Sequence, residues 1–236
     1  MKTEPRLEIK YLVSTTQRSK LYALWSKHLI KAEHTDSYGC YPVLSQYFDS
    51  PLLQFYKDKY DGSPKRRKVR LRAYDSTFGA GPVFIEIKHR YGEKVWKTRK
   101  ALGEEKHECL ISPRVAGGIF ATLADRYQLR PSARVYYTRQ AFNAIDTVLG
   151  NVRVTFDTSV IGLFPEDRIC EDILYDCHRY LIPEHTAILE VKADACLPAW
   201  FHEGIRKVGL SAKSISKYVL AVDKLSPTLL KLGENQ

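Results

Sequence analysis

Basic residues recur at every second position in residues 65–91, KRRKVRLRAYDSTFGAGPVFIEIKHRY. In the first half of this stretch Lys68, Arg70 and Arg72 alternate with apolar residues, and a Gly/Pro turn separates it from a second alternating half. Side chains of a β-strand point alternately to its two faces, so each half predicts a strand with one charged and one apolar face. Guanidinium groups bind phosphate oxygens through paired hydrogen bonds, and ammonium groups bind them as movable charges. The hairpin is therefore either the solvated face of a sheet or a surface that binds anions.

The same alternation returns in separate parts of the chain. A glutamate and a lysine two positions apart share a face in three predicted strands, as Glu8 with Lys10, Glu86 with Lys88, and Glu190 with Lys192. Further predicted strands carry Lys97, Arg139 and Arg153. An open sheet would leave these charges in solvent, whereas a closed barrel with an apolar exterior would gather them in a lumen. Confined like charges repel and lose hydration, so such a lumen requires acidic residues or a bound polyanion.

Composition narrows the class of protein and its partners. The 236 residues carry 37 Lys and Arg against 27 Asp and Glu, a net charge of +10, which favours a nucleic acid, nucleotide, polyphosphate or acidic membrane as partner. We expect one domain over residues 1–236, with a tail from about residue 226 that could fray. The five cysteines are odd in number and lack C-x-x-C spacing, which indicates a reduced interior and argues against a zinc site. Without an apolar run of membrane-span length or a signal peptide, we expect a soluble, cytoplasmic protein.

Helices are predicted before, between and after the strands. Residues 14–31 combine an N-capping Ser14 with helical spacing, and we expect this helix to plug or cover one end of the sheet. A second helix is predicted over residues 112–127. Near the C-terminus a helix is predicted to start around Ser216 and Lys217, where helix-terminal N–H groups could meet an anion.

An ordered set of short motifs carries a resemblance to a known family. The motifs are EIK at 8–10, YFD at 47–49, KVRLR at 68–72, FIEIK at 84–88, VWKTR at 95–99, YTRQAF at 137–142, VRVTFD at 152–157, LEVK at 189–192 and SISKY at 214–218. Together they resemble the catalytic domain of the vacuolar transporter chaperone (VTC) polyphosphate polymerases, a branch of the triphosphate tunnel metalloenzymes related to the CYTH phosphatases. The resemblance covers about residues 6–225. It implies an α+β, mainly β fold, with a closed eight-stranded antiparallel tunnel, a basic lumen and flanking helices.

The resemblance also implies an activity and a set of site residues. The family transfers the γ-phosphoryl group of ATP to a growing polyphosphate chain and uses a divalent cation, typically Mn²⁺, with Mg²⁺ as the alternative. By motif, the catalytic and phosphate-binding residues would be Lys10, Arg70, Arg72, Lys88, Lys97, Arg139, Arg153 and Lys217, joined in phosphate binding by Lys192 and Ser216. Glu190 would hold the metal, whereas Lys192 and Glu86 could instead only pair with neighbouring charges. Phosphoryl transfer depends on positioning and charge neutralisation, so we assign no protein nucleophile or general base.

Two departures from the family pattern bear on which activity and which domain organisation we expect. Relatives that hydrolyse triphosphate carry E-x-E-x-K on the first strand, but Arg6 occupies the first glutamate position here, which argues against hydrolysis. The SPX domain and membrane helices of the larger eukaryotic relatives are absent, so we expect a stand-alone, prokaryote-type form that would need a membrane-protein partner for any membrane link.

Three alternatives remain open at this point. A CYTH-type triphosphatase acting on tripolyphosphate or nucleoside triphosphates would share the tunnel and most of its cations. A polyphosphate-binding subunit without activity would share them too. Nucleic-acid binding is disfavoured, because the cations alternate with apolar residues instead of clustering with exposed aromatic residues.

Overall fold

A computed structural model describes residues 7–33, 36, 38–78, 81–92, 94–148, 150–167, 169–170, 172–173 and 176–233, with side chains up to residue 225. The strands are β1 Leu7–Ser14, β2 Leu29–Lys31, β3 Cys40–Asp49, β4 Lys65–Ala73, β5 Val83–Tyr91, β6 Lys94–Leu102, β7 Arg130–Ala144, β8 Val152–Leu163 and β9 Thr186–Ala193. The α-helices are α1 Thr15–Trp25, α2 Gln54–Tyr60, α3 Lys106–Cys109, α4 Gly118–Tyr127, α5 Ala199–Lys207 and α6 Lys217–Gly233. Short 3-10 helices cover Pro113–Ala116 and Cys177–Arg179.

The strands form one antiparallel sheet in the order β1-β9-β8-β7-β3-β4-β5-β6, and β2 pairs separately with β7. The sheet curls until its two ends face each other. Among the described residues no backbone pairing joins β1 to β6. A side-chain ion pair bridges the gap instead, with Lys88 Nζ of β5 lying 2.8 Å from Glu8 Oε2 of β1. The predicted tunnel fold is confirmed, with eight strands along the path and β2 as a short addition.

The outer face of the curled sheet is apolar and lies under helices. On one side Leu21 and Trp25 of α1 and Phe201 of α5 pack against the outward residues of β1, β8 and β9. On the other side α4 covers the outward residues of β4 and β5, with Phe120 and Leu123 in the same cluster. Burial of these apolar surfaces supplies the main driving force for folding and leaves the charged faces of strands such as β4, β5 and β9 pointing inward.

Helix α6, not α1, fills one end of the tunnel. Its residues Tyr218 and Val222 pack against the inward-facing Val43, Tyr47 and Tyr137. Of the two roles expected for the helix in residues 14–31, plugging is therefore wrong, whereas covering one end of the sheet is confirmed, since α1 packs on β1, β9 and β8. The first helix covers the outer face because its apolar residues match the apolar outside of the sheet, and α6 can enter because the inner residues at this end are largely apolar.

Two predicted helices are also shorter than expected. The first ends at Trp25, and Leu29–Lys31 forms β2, because β7 extends past the end of its pairing with β3 and offers Phe142–Ala144 as a free edge. The helix predicted over residues 112–127 divides into the 3-10 turn Pro113–Ala116 and α4. Gly117 and Gly118 both have positive φ angles, 71° and 54°, which an α-helix does not tolerate.

Candidate active site

Strand register brings the predicted site residues to the inner face of the tunnel. Arg70 of β4 lies opposite Glu86 of β5, and Glu86 lies opposite Arg99 of β6. On the other half of the tunnel Arg139 of β7 lies opposite Asp157 of β8. Arg70 and Glu86 occupy inward positions because their neighbours in sequence, among them Val69 and Ile87, belong to the apolar outer face.

Glu86 is the anchor of one cation cluster. Arg70 donates from Nε and Nη2 to Glu86 Oε2 at 2.9 and 2.7 Å, and Lys97 Nζ and Arg99 Nε each lie 3.4 Å from Oε1. Arg72 Nε lies 4.0 Å from Oε2. Burial raises the pKa of this carboxyl, but the surrounding cations, led by Arg70, outweigh it and hold the pKa well below its usual range. Glu86 thus fixes the positions of guanidinium groups and has its oxygens occupied.

Asp157 anchors a second cluster and was not assigned a role from the sequence. Arg139 donates from Nε and Nη2 to its two oxygens at 2.7 and 2.8 Å, and Lys217 Nζ at the start of α6 lies 2.6 Å from Oδ2. Burial raises the pKa of Asp157, but Arg139 and then Lys217 outweigh it and lower the pKa to about 2. In VRVTFD, Asp157 lies four positions after Arg153 and therefore shares its strand face, which was the available signal in the sequence.

A third group of charges joins β1 to β9. Lys192 Nζ lies 2.6 Å from Glu190 Oε1, and Lys10 Nζ lies 3.1 Å from Glu8 Oε1 and 4.0 Å from Glu190 Oε2. Burial and the charge of Glu190 raise the pKa of Glu8, but Lys10, Lys88 and Lys192 outweigh them and lower it to about 2. Burial also opposes ionisation of Glu190, yet Lys192 and Lys10 hold its pKa well below the usual range. Both carboxylates are therefore ionised at neutral pH.

The donor set of Glu8 and Glu190 fits a divalent cation. Carboxylate oxygens are the hard ligands that Mn²⁺ and Mg²⁺ prefer, and these two carboxylates lie on neighbouring strands, each with lysine contacts in place of a bidentate arginine. Glu86 and Asp157 are each held by two N–H donations from one arginine, at one oxygen of Glu86 and at both oxygens of Asp157. The sequence analysis gave Glu8 no metal role, because attention fell on Arg6 at the first glutamate position, which lies outside the described residues. The structure makes Glu8 a candidate second ligand, since Glu8 and Glu190 both contact Lys10.

Two lumen groups have polar atoms that no described carboxylate satisfies. Lys68 Nζ contacts the hydroxyl of Ser216 at 2.7 Å and forms no ion pair with a described residue. Burial, followed by the charges of Lys10 and Lys88, lowers the pKa of Lys68 well below its ordinary value. The hydroxyl of Tyr137 is buried and has no hydrogen-bond partner among the described residues. A bound anion would satisfy both groups.

The remaining predicted residues complete the lining. Lys88 pairs with Glu8, and Ser216 contacts Lys68 and also accepts a hydrogen bond from the N–H of Val219. Arg153 is exposed at the rim, where its Nη2 donates to the hydroxyl of Tyr41 at 3.2 Å. The structure therefore brings the whole predicted set to one lumen, with Arg153 at its edge.

Comparisons with known proteins agree with this architecture. The family model for the VTC domain matches residues 5–226. No curated protein sequence matches the chain. A crystal structure from Bacillus halodurans, provisionally assigned as an adenylate cyclase, is 15% identical, covers 91% of this chain and 95% of its own, and has a TM-score of 0.53. A provisionally assigned adenylyl cyclase from Hippeastrum, for which a dominant triphosphatase activity is described, is 12% identical, covers 92% and 95%, and has a TM-score of 0.54.

The structural similarity to these two proteins supports a shared fold, and the family match carries the assignment. Within the described residues, no helix has both the length and the apolar character needed to span a membrane. The VTC match spans nearly the whole chain and agrees with a curled sheet whose charged residues line a lumen. The chain belongs to the VTC domain family.

Proposed function

We propose that this chain is a metal-dependent ATP–polyphosphate phosphotransferase that elongates inorganic polyphosphate inside the tunnel. The observation that supports this most directly is a lumen with more cations than carboxylates, in which Lys68 and Tyr137 lack anionic partners. A linear polyanion supplies the missing charge at repeated intervals along the lumen. A single phosphate would leave much of this basic surface unneutralised.

The buried ion pairs prepare the lumen for phosphoryl transfer. Arg70 and Arg139 each donate two N–H groups to Glu86 and Asp157, respectively, so their remaining N–H groups are oriented before a ligand arrives. Lysines such as Lys10, with flexible stems, follow phosphate oxygens as the chain advances. In the transfer, a terminal oxygen of the polyphosphate chain forms a bond to the γ-phosphorus of ATP, the bond to the bridging β–γ oxygen breaks, and ADP leaves.

Glu190 and Glu8 would hold the divalent cation. When bound, Mn²⁺ or Mg²⁺ would neutralise charge on the transferring phosphoryl group. The role of the protein side chains is to bind and align the two anionic substrates, ATP and polyphosphate. No side chain is needed as a covalent nucleophile, since the acceptor oxygen is already ionised.

A triphosphatase is the second candidate. Two observations favour it: the Hippeastrum protein of similar fold has a described triphosphatase activity, and Glu8 together with Glu190 provides two carboxylates for metal. Hydrolysis would require water in place of the polyphosphate end as the acceptor.

Product analysis tests the proposal. Purified protein is incubated with ATP and Mn²⁺, with and without a short polyphosphate primer, and the products are resolved as ADP, phosphate, tripolyphosphate and long polyphosphate. Long polyphosphate with a matching amount of ADP, lost in Arg70→Ala, is the expected result. Release of phosphate without chain growth would assign the triphosphatase activity. Tight polyphosphate binding without turnover would identify a binding subunit.

A further inference from the structure

An aromatic cluster stands at one edge of the lumen, and phosphate binding does not explain it. Tyr41 lies near the start of β3, Tyr74 directly follows β4, and Phe84 lies near the start of β5. Because adjacent strands are antiparallel, these three positions meet at the same edge of the tunnel. The ring centroid of Tyr74 lies 5.9 Å from that of Tyr41 and 6.0 Å from that of Phe84. The opposite end of the tunnel is the one that α6 fills.

Arginines frame this cluster. Arg99 Cζ lies 3.5 Å from the ring centroid of Phe84, and Arg99 Nη2 donates to the hydroxyl of Tyr74 at 3.3 Å. Arg153 contacts the hydroxyl of Tyr41. All three rings are partly exposed, unlike the buried aromatic residues of the outer core. Partly buried tyrosines beside arginines, next to a basic channel, are a combination that proteins use to stack nucleobases.

We propose that Tyr74 and Tyr41 form the nucleobase site for the phosphoryl donor. The inference rests on the proposed function, because it assumes that a nucleoside triphosphate enters this lumen. Arg72 precedes Tyr74 by two residues on the lumen face, so a base stacked on Tyr74 directs its phosphates toward Arg72 and Arg70. ATP then enters with its γ-phosphate first, and ADP leaves through the same opening.

This site distinguishes the two anionic substrates. Tripolyphosphate has no base and uses only the lumen cations, whereas ATP uses both the cations and the aromatic cluster. Every base has a π-face, so stacking tolerates different bases and we expect ATP and GTP to bind within a fewfold of each other.

Binding calorimetry on the full chain with ATP and with tripolyphosphate, each with Mg²⁺, tests the site. Tyr74→Ala should weaken ATP binding by about fivefold or more, the scale of one lost base stack, and leave tripolyphosphate within about twofold. Tyr74→Phe, which keeps the ring, should retain ATP affinity. Tyr91→Ala removes an exposed tyrosine at the far end of β5 and serves as the matched control, with both ligands unchanged.

The two ligands make the outcomes distinct. Equal losses for ATP and tripolyphosphate in Tyr74→Ala would overturn the base site and show that the ring only positions Arg99. Unchanged ATP affinity in that variant would overturn it as well. A protein whose ATP binding depends on Tyr74 but which makes no polyphosphate would refute the polymerase assignment and leave the base site standing.

Discussion

At the scale of single residues, the lumen contains two kinds of cation. Arg70 and Arg139 are each fixed by two N–H donations to a buried carboxylate, and their charges are largely balanced within the protein. Lys68 has a hydroxyl partner and a pKa that burial and neighbouring cations lower. The fixed arginines present oriented N–H groups to an incoming phosphate. The charged form of Lys68 is the one that a bound anion stabilises most.

Arg70→Ala should weaken tripolyphosphate binding by about 10- to 100-fold, since hydrogen bonds to charged groups are worth about 1.5–3 kcal/mol. The fold should survive, because Lys97 and Arg99 remain beside Glu86. Calorimetric titration measures the effect. Arg67→Ala is the matched control: it lies on the same strand but faces outward, where it donates to the hydroxyl of Tyr127. Equal losses in the two variants would contradict the lumen assignment.

Tripolyphosphate binding should be accompanied by proton uptake at Lys68. In the free protein the pKa of Lys68 lies well below its ordinary value of 10.5, so a bound anion, which favours the ammonium form, must raise it. Protons are taken up at pH values between the pKa of Lys68 in the free protein and its pKa in the complex. The affinity for tripolyphosphate falls as the pH rises through this range. Titration in two buffers of different ionisation enthalpy measures the protons. Lys68→Met, which keeps the stem without the charge, should reduce the uptake; an unchanged proton count would refute this role.

Glu190→Gln and Glu8→Gln should each weaken Mn²⁺ binding by at least about tenfold, because each removes one of the charged oxygen ligands. Electron paramagnetic resonance of free Mn²⁺ measures this without reference to turnover. Glu203→Gln on α5, an exposed partner of Lys207, is the control and should bind Mn²⁺ as the parent does. Full Mn²⁺ affinity in both lumen variants would place the metal elsewhere.

At the scale of elements, a buried carboxylate fastens the helix that fills the tunnel. Asp49, the last residue of β3, accepts hydrogen bonds from the N–H groups of Ser50, Phe55 and Tyr56 and from the hydroxyl of Tyr218 on α6. One side chain thus joins β3, the start of α2 and α6. This gives the YFD motif a structural role that its place in the sequence did not indicate.

Asp49→Ala should lower the free energy of unfolding by about 3 kcal/mol, because it leaves buried N–H and hydroxyl donors without an acceptor. Urea unfolding followed by circular dichroism measures the change. Asp58→Ala in α2 removes a partly exposed carboxylate that contacts Gln54 and should stay within about 0.5 kcal/mol of the parent. If Asp49→Ala behaved like this control, the hydrogen bonds of Asp49 would contribute little to the stability of the fold.

Element boundaries show where local sequence stops being sufficient. The strands at residues 65–73 and 83–91 were predicted because charged and apolar residues alternate there with the two-residue period of a β-strand. Strand β2 was not, because Leu29–Lys31 is extended only where β7 offers a free edge. The break at Gly117 was missed because apolar spacing continued across it.

At the scale of the whole molecule, the fold reverses the usual distribution of charge. The apolar faces of the strands point outward beneath helices, and the charged faces point inward. Buried charges are tolerable when they are paired, and the lumen carboxylates supply that pairing in the free protein. Stability therefore depends on the ionisation of those carboxylates.

Below about pH 6 the free energy of unfolding should fall as the pH is lowered, with most of the loss between the ordinary carboxyl pKa values and about pH 2. The pKa values of Asp157 and Glu8 are about 2 in the folded protein, below their ordinary values of 3.8 and 4.5, so the unfolded chain takes up protons first as pH falls. Urea unfolding at a series of pH values tests this. Glu203→Gln should follow the parent curve. A flat curve down to pH 2.5 would contradict the inferred coupling.

The sequence alone determined the fold class, the family and most of the lumen lining. It could do so because β alternation sorts residues between two faces and because the family motifs are short and local. Tertiary structure decided which carboxylate serves which cation. Pairs such as Arg139 with Asp157 and Lys88 with Glu8 depend on strand register and on how far the sheet curls. Neither property can be deduced from a single segment of the sequence. The same reason explains why α6 instead of α1 enters the tunnel.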